Sequence, residues 1–573
     1  MKNIVFNKSI LVALFISVMG TTCIAQLAPV YDIQKSAVGL HGMVVSAHPL
    51  ATNVGLEILK EGGNAADAAI AVQFALAVVY PKAGNIGGGG FLVYRDKSGE
   101  VSSLDYRERA PLAANPDMYL DQKGMVIKGM SREGILAAGI PGSVAGLIQM
   151  HQKLGKIQTW SKLVEPAINL AENGFQITKA EAERLNEFKD IFLQFNPPDM
   201  PFISKEKWKE GDVIIQKELA ATLRLIADHG MDGFYSGTNA QRLQALSKIK
   251  HGLITKKDLK SYQAIWRQPL HQHWRDFDIY NMGLPSSGGI VMGQILKMID
   301  GRIIDSLGYR NPQNIHVILE AERRAFADRA LYLGDADYFH VPVDSILSQA
   351  YLDQRFSDFN LTKASSSGTL EAAKYKFTQD HFETTHLSII DAEGNTASVT
   401  TTLNDNYGCK VWVPGGGYFL NSEMDDFSSK PGVPNMFGLI GAQANAIAPG
   451  KRMLSSMTPT IIMKDGNPWM ILGSPGGSTI ITTVLQVFLN TAVFGMNIDE
   501  AVQAARYHHQ WLPDDVLYEK DGFSPEVIQS LTAMGYKVKS IEALGMVEAI
   551  LIDAFGTIHG SADHRGDAHA AGY

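Results

Sequence analysis

The chain has 573 residues, of which 45% are hydrophobic and 19% charged, and its formal net charge is −8. This length and average composition exclude a mini-protein, an intrinsically disordered chain and a collagen or coiled-coil fibre. The mildly acidic balance argues against nucleic acid as the main partner, because phosphate binding requires an excess of basic residues.

The N-terminal segment has the pattern of a secretory signal peptide. Two lysines precede an apolar run at residues 10–19, which is too short to span a bilayer, and residues 23–25 form a small-residue cleavage site. A buried N-terminal helix and lipid attachment at Cys23 fit the flanking residues less well. We expect residues 1–25 to be removed on export, either to the periplasm or to the medium.

Helix and strand signals follow in mixed order along the chain. Asn64 is predicted to cap a helix that is apolar on nearly all sides and therefore buried, and a second, amphipathic helix is predicted from Ile315 to Leu331. Residues 360–380 are polar, which is typical of a mobile linker. Beyond them the sequence alternates with period two, which predicts strands. The whole pattern predicts a layered α/β or α+β fold.

Several catalytic and cofactor motifs are missing from the sequence. There is no Gly-x-Ser-x-Gly elbow and no P-loop. His381 and His386 are five residues apart and do not share one helix face as zinc ligands, and His271 and His273 fit a solvated strand better than a metal site. The glycine run at residues 87–90 favours close backbone packing over a phosphate site. We therefore predict no metal and no nucleotide or redox cofactor.

Two alternating segments, 383–391 and 396–404, flank a turn signal in which Gly394 suits a left-handed position. A three-residue loop pairs Asp391 with Asn395 and matches the polar faces of the two strands. A two-residue loop would oppose polar and apolar faces. The sequence therefore predicts a β-hairpin in the first register.

In this register Thr384 lies opposite Thr402, with Asn404 on the same polar face at the open end of the hairpin. The group could form an active site, or it could be a solvent-exposed sheet face with threonine ladders. Residues 421–427 concentrate acids, which suit an ammonium group or a plain surface turn. Residues 473–478 follow an apolar strand and open a helix, so their N–H groups could stabilise an oxyanion or form only a tight turn.

Together these motifs resemble the gamma-glutamyltransferase family, whose members are also called gamma-glutamyltranspeptidases or glutathione hydrolases. The resemblance runs from about residue 38 to the C-terminus. Its motifs are Gly62-Gly63-Asn64-Ala65-Ala66-Asp67-Ala68, Asn85-Ile86-Gly87-Gly88-Gly89, Asp105-Tyr106-Arg107-Glu108, Pro285-Ser286-Ser287-Gly288-Gly289, Thr384-Thr385-His386, Met424-Asp425-Asp426-Phe427, Leu454-Ser455-Ser456-Met457, Gly473-Ser474-Pro475-Gly476-Gly477-Ser478 and His508-His509-Gln510-Trp511-Leu512-Pro513-Asp514.

The resemblance implies an α+β fold, the four-layer αββα sandwich of N-terminal-nucleophile hydrolases. It implies that the precursor cleaves itself between Glu383 and Thr384. The large subunit would then be residues 26–383, ending in a mobile linker at residues 360–383, and the small catalytic subunit would be residues 384–573.

The resemblance also implies a mechanism. The Thr384 hydroxyl attacks the carbonyl of glutathione or another γ-glutamyl amide, and the freed α-amine of Thr384 acts as general base. Thr402 hydrogen-bonds Thr384, and the N–H groups of Gly476 and Gly477 stabilise the oxyanion. Water or the amine of an amino acid or dipeptide then accepts the γ-glutamyl group.

A γ-glutamyl group has a zwitterionic end, which requires both charge signs in its site. Arginine suits the carboxylate because its guanidinium binds in a bidentate manner. The residues implied to bind the two groups are Arg107, Ser455 and Ser456 for the α-carboxylate, and Asp426, Glu423 and the neighbouring Asn404 for the α-ammonium.

Residues 431–442 match a lid loop of the family, but Phe437 replaces its gate tyrosine. Phenylalanine has no hydroxyl to bond Asn404, so we hypothesise a looser lid with an altered balance of hydrolysis and transfer. Two other functions remain open. A cephalosporin acylase would not need both Arg107 and Asp426, and an inactive binding or scaffold protein would not need the threonine pair.

Overall fold

The computed structural model describes residues 30–303, 305–368 and 382–573. The expected signal peptide at residues 1–25 lies outside these ranges, as do residues 369–381 of the expected linker. Of the helices in the described ranges, none is both long enough and apolar enough to cross a membrane.

Two seven-stranded antiparallel sheets stack face to face. In spatial order, the first contains β1 (Ser36–Gly39), β18 (Ile558–Ala562), β17 (Glu548–Ile552), β13 (Asn467–Gly473), β12 (Thr460–Lys464), β9 (Phe277–Asn281) and β8 (Leu270–Trp274). The second contains β19 (His569–Gly572), β2 (Met43–Ser46), β10 (Phe382–Ile390), β11 (Thr396–Asp405), β3 (Gly89–Arg95), β4 (Val101–Asp105) and β7 (Ile265–Arg267). A small three-stranded sheet contains β14 (Tyr507–His508), β15 (Val516–Glu519) and β16 (Val538–Ile541). A two-stranded sheet pairs β5 (Phe175–Gln176) with β6 (Val213–Ile214).

Helices cover the outer faces of both large sheets. Those on the second sheet are α1 (Pro49–Lys60), α2 (Ala65–Val79) and α3 (Ser143–Leu154), and those on the first are α10 (Gly288–Ile299), α14 (Ile480–Ala492) and α15 (Ile498–Gln503). The other helices are α4 (Trp160–Asn173), α5 (Lys179–Phe195), α6 (Lys217–His229), α7 (Met231–Tyr235), α8 (Gly237–Ile249), α9 (Lys256–Lys260), α11 (Pro312–Tyr332), α12 (Val343–Ile346), α13 (Gln349–Phe356) and α16 (Pro525–Met534). The order of layers confirms the expected αββα sandwich.

Helix α2 begins where the sequence predicts. The Asn64 side chain accepts a hydrogen bond from the Asp67 backbone N–H, and the Asp67 carboxylate accepts one from the Asn64 N–H, both at 3.0 Å. All residues of α2 are buried, because the helix lies between the second sheet, α1 and α4. Asp391, at the hairpin turn, accepts a hydrogen bond from the Ala65 N–H at 2.8 Å, which ties the turn to the start of this helix.

The predicted hairpin and its register are confirmed. Thr384 pairs with Thr402. The turn closes as expected, since the Asp391 N–H donates to the Asn395 carbonyl at 3.1 Å and Gly394 has a φ of +83°. Turn chemistry and strand alternation therefore determine which residues of β10 and β11 face each other.

The polar face of the hairpin packs against the first sheet. Ser388 Oγ donates to the carbonyl of Glu548 at 2.9 Å, and Ser398 Oγ donates to that of Leu472 at 3.1 Å. Every residue of β11 is buried. The alternative of a solvent-exposed threonine face is therefore wrong. Local spacing could not show this, because the sheet that covers this face is formed by segments that are distant in sequence.

His386 lies at the centre of this buried polar layer. Its Nδ1 is 2.9 Å from Thr400 Oγ1, and its Nε2 is 3.1 Å from Ser388 Oγ. The ring is pressed onto β13, where a Cβ at Gly473 would lie 2.3 Å from it. Burial lowers the pKa of His386 to about 3, because an imidazolium would lose its hydration here.

The beginning of the predicted mobile linker is hydrogen-bonded to the rest of the protein. The Ala364 N–H donates to the carbonyl of Met534 at 2.7 Å, and Trp511 Nε1 donates to that of Ser367 at 2.6 Å. Two residues of the predicted linker thus have hydrogen-bond partners elsewhere in the chain, and its mobility stays a prediction. Polar composition alone could not show that this segment has distant hydrogen-bond partners.

His386 should make folding sensitive to acid. Its pKa is about 6.5 in an unfolded chain but about 3 in the folded protein, so the unfolded chain binds the proton first. Its stabilisation is complete above about pH 6.5 and falls as the pH drops, by up to about 1.4 kcal/mol per pH unit. The test compares a Thr384→Ala chain with a Thr384→Ala, His386→Asn double variant. The free energy of unfolding, measured with urea between about pH 7 and pH 4, should depend on pH more steeply in the first chain than in the second.

The control for this comparison is His229→Asn, at an exposed histidine at the end of α6. It should keep the pH dependence of the parent chain. An equally steep dependence in His386→Asn would show that the buried imidazole does not cause the acid sensitivity.

Candidate active site

Thr384 and Thr402 face each other at the open end of the hairpin. Both are buried, and their hydroxyl oxygens are 3.1 Å apart. The Asn404 backbone N–H donates to Thr402 Oγ1 at 2.8 Å. The hydroxyl hydrogen of Thr402 is then available to the Thr384 oxygen, so Thr402 can stabilise negative charge that develops there.

The pairing of the two strands changes at this point. Phe382 pairs with Asp405, one position beyond the partner expected from the pairing of Thr384 with Thr402. The β11 strand therefore contains a bulge, at which Asn404 has a φ of +76°. Asparagine tolerates this left-handed conformation better than most residues. The bulge ends regular pairing beside Thr384 and brings Asn404 into the site.

Asn85 supports the strand that carries Thr402, a role that local spacing does not reveal. Its Nδ2 donates to the Thr402 carbonyl at 2.9 Å, and its Oδ1 accepts from the Gly88 N–H at 2.9 Å. A Cβ at Gly88 would lie 2.0 Å from the same carbonyl oxygen. The glycine run thus serves close packing, as predicted.

Arg107 lies two residues after the end of β4, is almost fully buried and contacts three carboxylates. Its Nη1 is 2.8 Å from Glu423 Oε2 and 3.6 Å from Glu108 Oε2, and its Nη2 is 2.5 Å from Asp426 Oδ2. The residues predicted for the α-carboxylate and the α-ammonium therefore meet and neutralise each other. Glu108 is a further member of the cluster that the sequence did not indicate.

Burial of three carboxylates around one guanidinium affects their protonation. Burial raises the pKa of Glu108 to about 8 and that of Glu423 well above its ordinary range, although Arg107 opposes both shifts. The pKa of Asp426 is raised for the same reason. Burial would lower the pKa of Arg107, but the surrounding carboxylates raise it above its ordinary value. Arg107 therefore remains a cation, and burial shifts the neighbouring acids toward their neutral forms.

Ser455 and Ser456 form another wall of the site. Ser455 Oγ accepts a hydrogen bond from the Met457 N–H at 3.1 Å, and Ser456 Oγ accepts one from Arg329 Nη2 at 3.0 Å. Neither hydroxyl donates to a protein acceptor within the described ranges. Their hydrogens are therefore available to an anion, as the carboxylate prediction requires.

Gly476 and Gly477 form the turn that leads into α14. Their φ values of +134° and +55° favour glycine. As the first residues of a helical turn, they have N–H groups without an intrahelical partner. A Cβ at Gly477 would lie 2.4 Å from the ring of Phe437, so the predicted lid residue packs directly on this turn.

Most of the predicted side chains line one small cavity of about 20 Å³, which suits about one water molecule. Its lining residues are Arg107, Thr384, Thr402, Asn404, Glu423, Asp426, Phe437, Ser455, Ser456, Met457, Gly477 and Ile480. Met457 and Ile480 were not predicted, and Gly476 borders a larger cavity of about 490 Å³. The side chain of Glu383, at the predicted cleavage bond, is not among those that the structure describes. Among the described residues, no three His, Cys, Asp or Glu side chains are grouped to hold a metal ion.

A buried threonine at the edge of an αββα sandwich, facing a second threonine and a glycine turn, defines an N-terminal-nucleophile hydrolase. A family model described as Gamma-glutamyltranspeptidase matches residues 51–573. The glutathione hydrolase proenzyme of Escherichia coli (strain K12) is 43% identical over 535 residues, which cover 93% of this chain and 92% of that relative. The chain belongs to the gamma-glutamyltranspeptidase family.

Solved structures agree with this membership. The gamma-glutamyltranspeptidase of Helicobacter pylori is 44% identical with a TM-score of 0.54, and the match covers 57% of this chain and 93% of the solved chain. A cephalosporin acylase from Bacillus halodurans is 26% identical with a TM-score of 0.81, and the match covers 96% of this chain and 98% of the acylase chain. The fold is thus shared by enzymes of more than one named activity.

Gly477→Ala should distort the turn before α14 and lower kcat. Its methyl group would clash with Phe437, and alanine is strained at a φ of +55°, so the N–H should move away from the cavity. Loss of one oxyanion donor lowers kcat by about 10²–10³-fold. Release of the anilide from a γ-glutamyl anilide measures this effect.

Gly466→Ala is the matched control. Gly466 also has a positive φ, +78°, but no atom of the described residues lies within 4 Å of its added Cβ. This variant should keep the kcat of the parent. Equal rates in the two variants would contradict a role for the Gly477 N–H.

Proposed function

We propose that this protein is a self-cleaving γ-glutamyltransferase and glutathione hydrolase. The observation that carries the proposal is the shared cavity, in which Thr384 and Thr402 lie beside Arg107 and Asp426. The threonines supply a nucleophile and its hydrogen-bond partner. The charged pair matches the α-carboxylate and α-ammonium of a γ-glutamyl group. Membership of the gamma-glutamyltranspeptidase family supports the same activity.

We assign maturation to the same nucleophile. Thr384 Oγ1 attacks the carbonyl carbon of Glu383, the peptide nitrogen leaves as the new α-amine, and water hydrolyses the resulting ester. Together with removal of residues 1–25 on export to the periplasm or beyond, this gives chains 26–383 and 384–573. The bulge in β11 beside this bond supports cleavage here, since regular pairing ends at it.

Catalysis then uses the freed α-amine of Thr384. Its ordinary pKa of about 7.7–8.0 suits a general base at neutral pH. The amine takes the hydroxyl proton as Oγ1 attacks the γ-glutamyl carbonyl carbon, while Thr402 donates a hydrogen bond to Oγ1. The N–H groups of Gly476 and Gly477 stabilise the oxyanion. The leaving amine takes the proton, and water or an amino-acid or dipeptide amine then cleaves the γ-glutamyl ester.

Donor recognition requires an exchange of ion pairs. Arg107 is paired with Asp426 and Glu423 in this structure. The α-carboxylate of the donor binds Arg107 and the serine hydroxyls, and the α-ammonium binds Asp426 and Glu423. Each protein charge exchanges one partner for another of the same sign, so no buried charge is left uncompensated.

Donor entry also requires the lid to move. A cavity of about 20 Å³ cannot hold a γ-glutamyl group. Phe437 lines this cavity and packs on Gly477, and the Phe437 carbonyl accepts a hydrogen bond from Gln510 Nε2 at 2.9 Å. Met436 is held by its N–H, which donates to Asp425 Oδ2 at 2.9 Å. We assign the opening motion to residues 431–442, which carry both groups.

A cephalosporin acylase is the second candidate, favoured by the high structural similarity to such an enzyme. A donor without an α-ammonium and an α-carboxylate would leave Arg107 and Asp426 with no ligand. The buried charge pair therefore favours a γ-glutamyl donor. The proposed enzyme should release the anilide from a γ-glutamyl anilide, and glutamate from glutathione.

Changes at Thr384 test self-cleavage and catalysis together. Thr384→Ala should remain one uncleaved, inactive chain because alanine has no nucleophilic oxygen, whereas Thr384→Ser should still cleave. Gel electrophoresis and N-terminal sequencing measure the result, and the small chain should begin Thr-Thr-His-Leu. Thr385→Ala is the matched control and should cleave normally. A parent chain that stays intact after prolonged incubation would refute the mechanism.

Phe437→Tyr tests the lid. The added hydroxyl can hydrogen-bond Asn404, which lines the same cavity, and one such bond can shift a rate ratio by about twofold to tenfold. The ratio of hydrolysis to transfer, measured with and without a dipeptide acceptor, should therefore change. Phe437→Leu, which adds no hydroxyl, is the control. An unchanged ratio in Phe437→Tyr would count against the hypothesis.

A further inference from the structure

Arg329 lies behind the serine wall of the cavity, on α11. Its side chain is buried, with Nε donating to Ser287 Oγ at 2.9 Å and Nη2 donating to Ser456 Oγ at 3.0 Å. No carboxylate of the described residues forms an ion pair with it, and Asp426 is the acid that acts on it from a distance. A buried arginine in this position calls for an explanation, since buried charges are ordinarily paired.

The direction of these hydrogen bonds determines what the serines can do. A guanidinium can only donate, so both serine oxygens must accept from Arg329. Ser287 uses its own hydrogen toward the Ser455 carbonyl, at 2.6 Å. Ser456 has no such protein acceptor in the described ranges, so its hydroxyl hydrogen is directed to the cavity that Ser456 lines. Arg329 thus prepares Ser456 as a hydrogen-bond donor and supports Ser455 through Ser287.

The charges of the cavity point to the same ligand. Arg107 is contacted by three carboxylates, so an entering α-carboxylate meets an acid-rich surface. Arg329, by contrast, forms no ion pair with a carboxylate in the part of the chain that the structure describes. Burial and the nearby Arg107 lower its pKa to about 10, against the effect of Asp426, and it is still charged at neutral pH. Its positive charge can therefore compensate a ligand carboxylate in a site of low dielectric constant.

We propose that Arg329 is a positioning residue that makes the enzyme select donors with an α-carboxylate. It acts through Ser456, whose hydroxyl it orients as a donor to that carboxylate. It also adds positive charge to the site, where the charge of Arg107 is offset by its neighbouring carboxylates. The inference rests on the proposed function and adds a determinant of donor specificity to it.

Three anilide donors separate this role from a purely structural one. γ-Glutamyl anilide carries both charged groups, glutaryl anilide lacks the α-ammonium, and 4-aminobutanoyl anilide lacks the α-carboxylate. In Arg329→Met, KM for the γ-glutamyl donor should rise by about 10- to 100-fold with kcat little changed. The kcat/KM for 4-aminobutanoyl anilide should stay at the value of the parent enzyme, while that for glutaryl anilide should fall.

Two conservative variants separate the contribution of the Arg329 charge from that of its hydrogen bonds to the serines. Arg329→Lys keeps the charge but cannot bond both serines, and should restore part of the preference for the α-carboxylate. Ser287→Ala keeps the charge and the bond to Ser456, and should raise KM less than Arg329→Met. If Arg329→Met fails to mature, these two variants and the three donors still provide the test.

The control is Arg224→Met, at an exposed arginine of α6 that pairs with Glu172. It should leave all three donors unaffected. A fall in kcat for all donors alike, or an unchanged preference in both Arg329→Met and Arg329→Lys, would overturn the inference. A parent enzyme that does not cleave γ-glutamyl anilide would instead refute the proposed function.

Discussion

The antiparallel pairing of β10 with β11 places the hydroxyl oxygen of Thr384 3.1 Å from that of Thr402, and the other parts of the candidate site are arranged around this pair. A slip of one residue would turn the Thr384 side chain to the opposite face of the sheet. The structure protects the register at both ends. Asp391 holds the turn and the start of α2, and Asn85 holds the backbone of Thr402.

Stacking of the two sheets turns the polar face of this hairpin into the interior of the protein. Ser388 and Ser398 donate to carbonyl groups of the opposite sheet, so these two desolvated hydroxyls remain hydrogen-bonded. The same burial keeps His386 neutral at pH 7. A buried, hydrogen-bonded surrounding of this kind strengthens electrostatic interactions with the Thr384 hydroxyl at the edge of the layer.

The cavity beside Arg107 differs from this layer, because charged groups of both signs are concentrated there. Arg107 and three carboxylates are buried together, and Arg329 lies behind the serine wall with no carboxylate partner among the described residues. A zwitterionic ligand can enter such a site by exchanging partners with the protein charges, since both signs are already present. Phe437 lines this cavity and packs on the Gly477 turn, so it lies beside both the charged groups and the threonine pair.

The sequence determined the local features, because they depend on neighbours within a few residues. The cap of α2, the glycine of the hairpin turn and the pairing of Thr384 with Thr402 follow from turn chemistry and alternation. Only the tertiary structure decided that the threonine face is buried, that Asn85 supports Thr402 and that Arg329 lies behind Ser456. Arg107 and Asp426 are 319 residues apart, and their contact and shifted pKa values arise when stacked layers remove water from groups that are far apart in the chain.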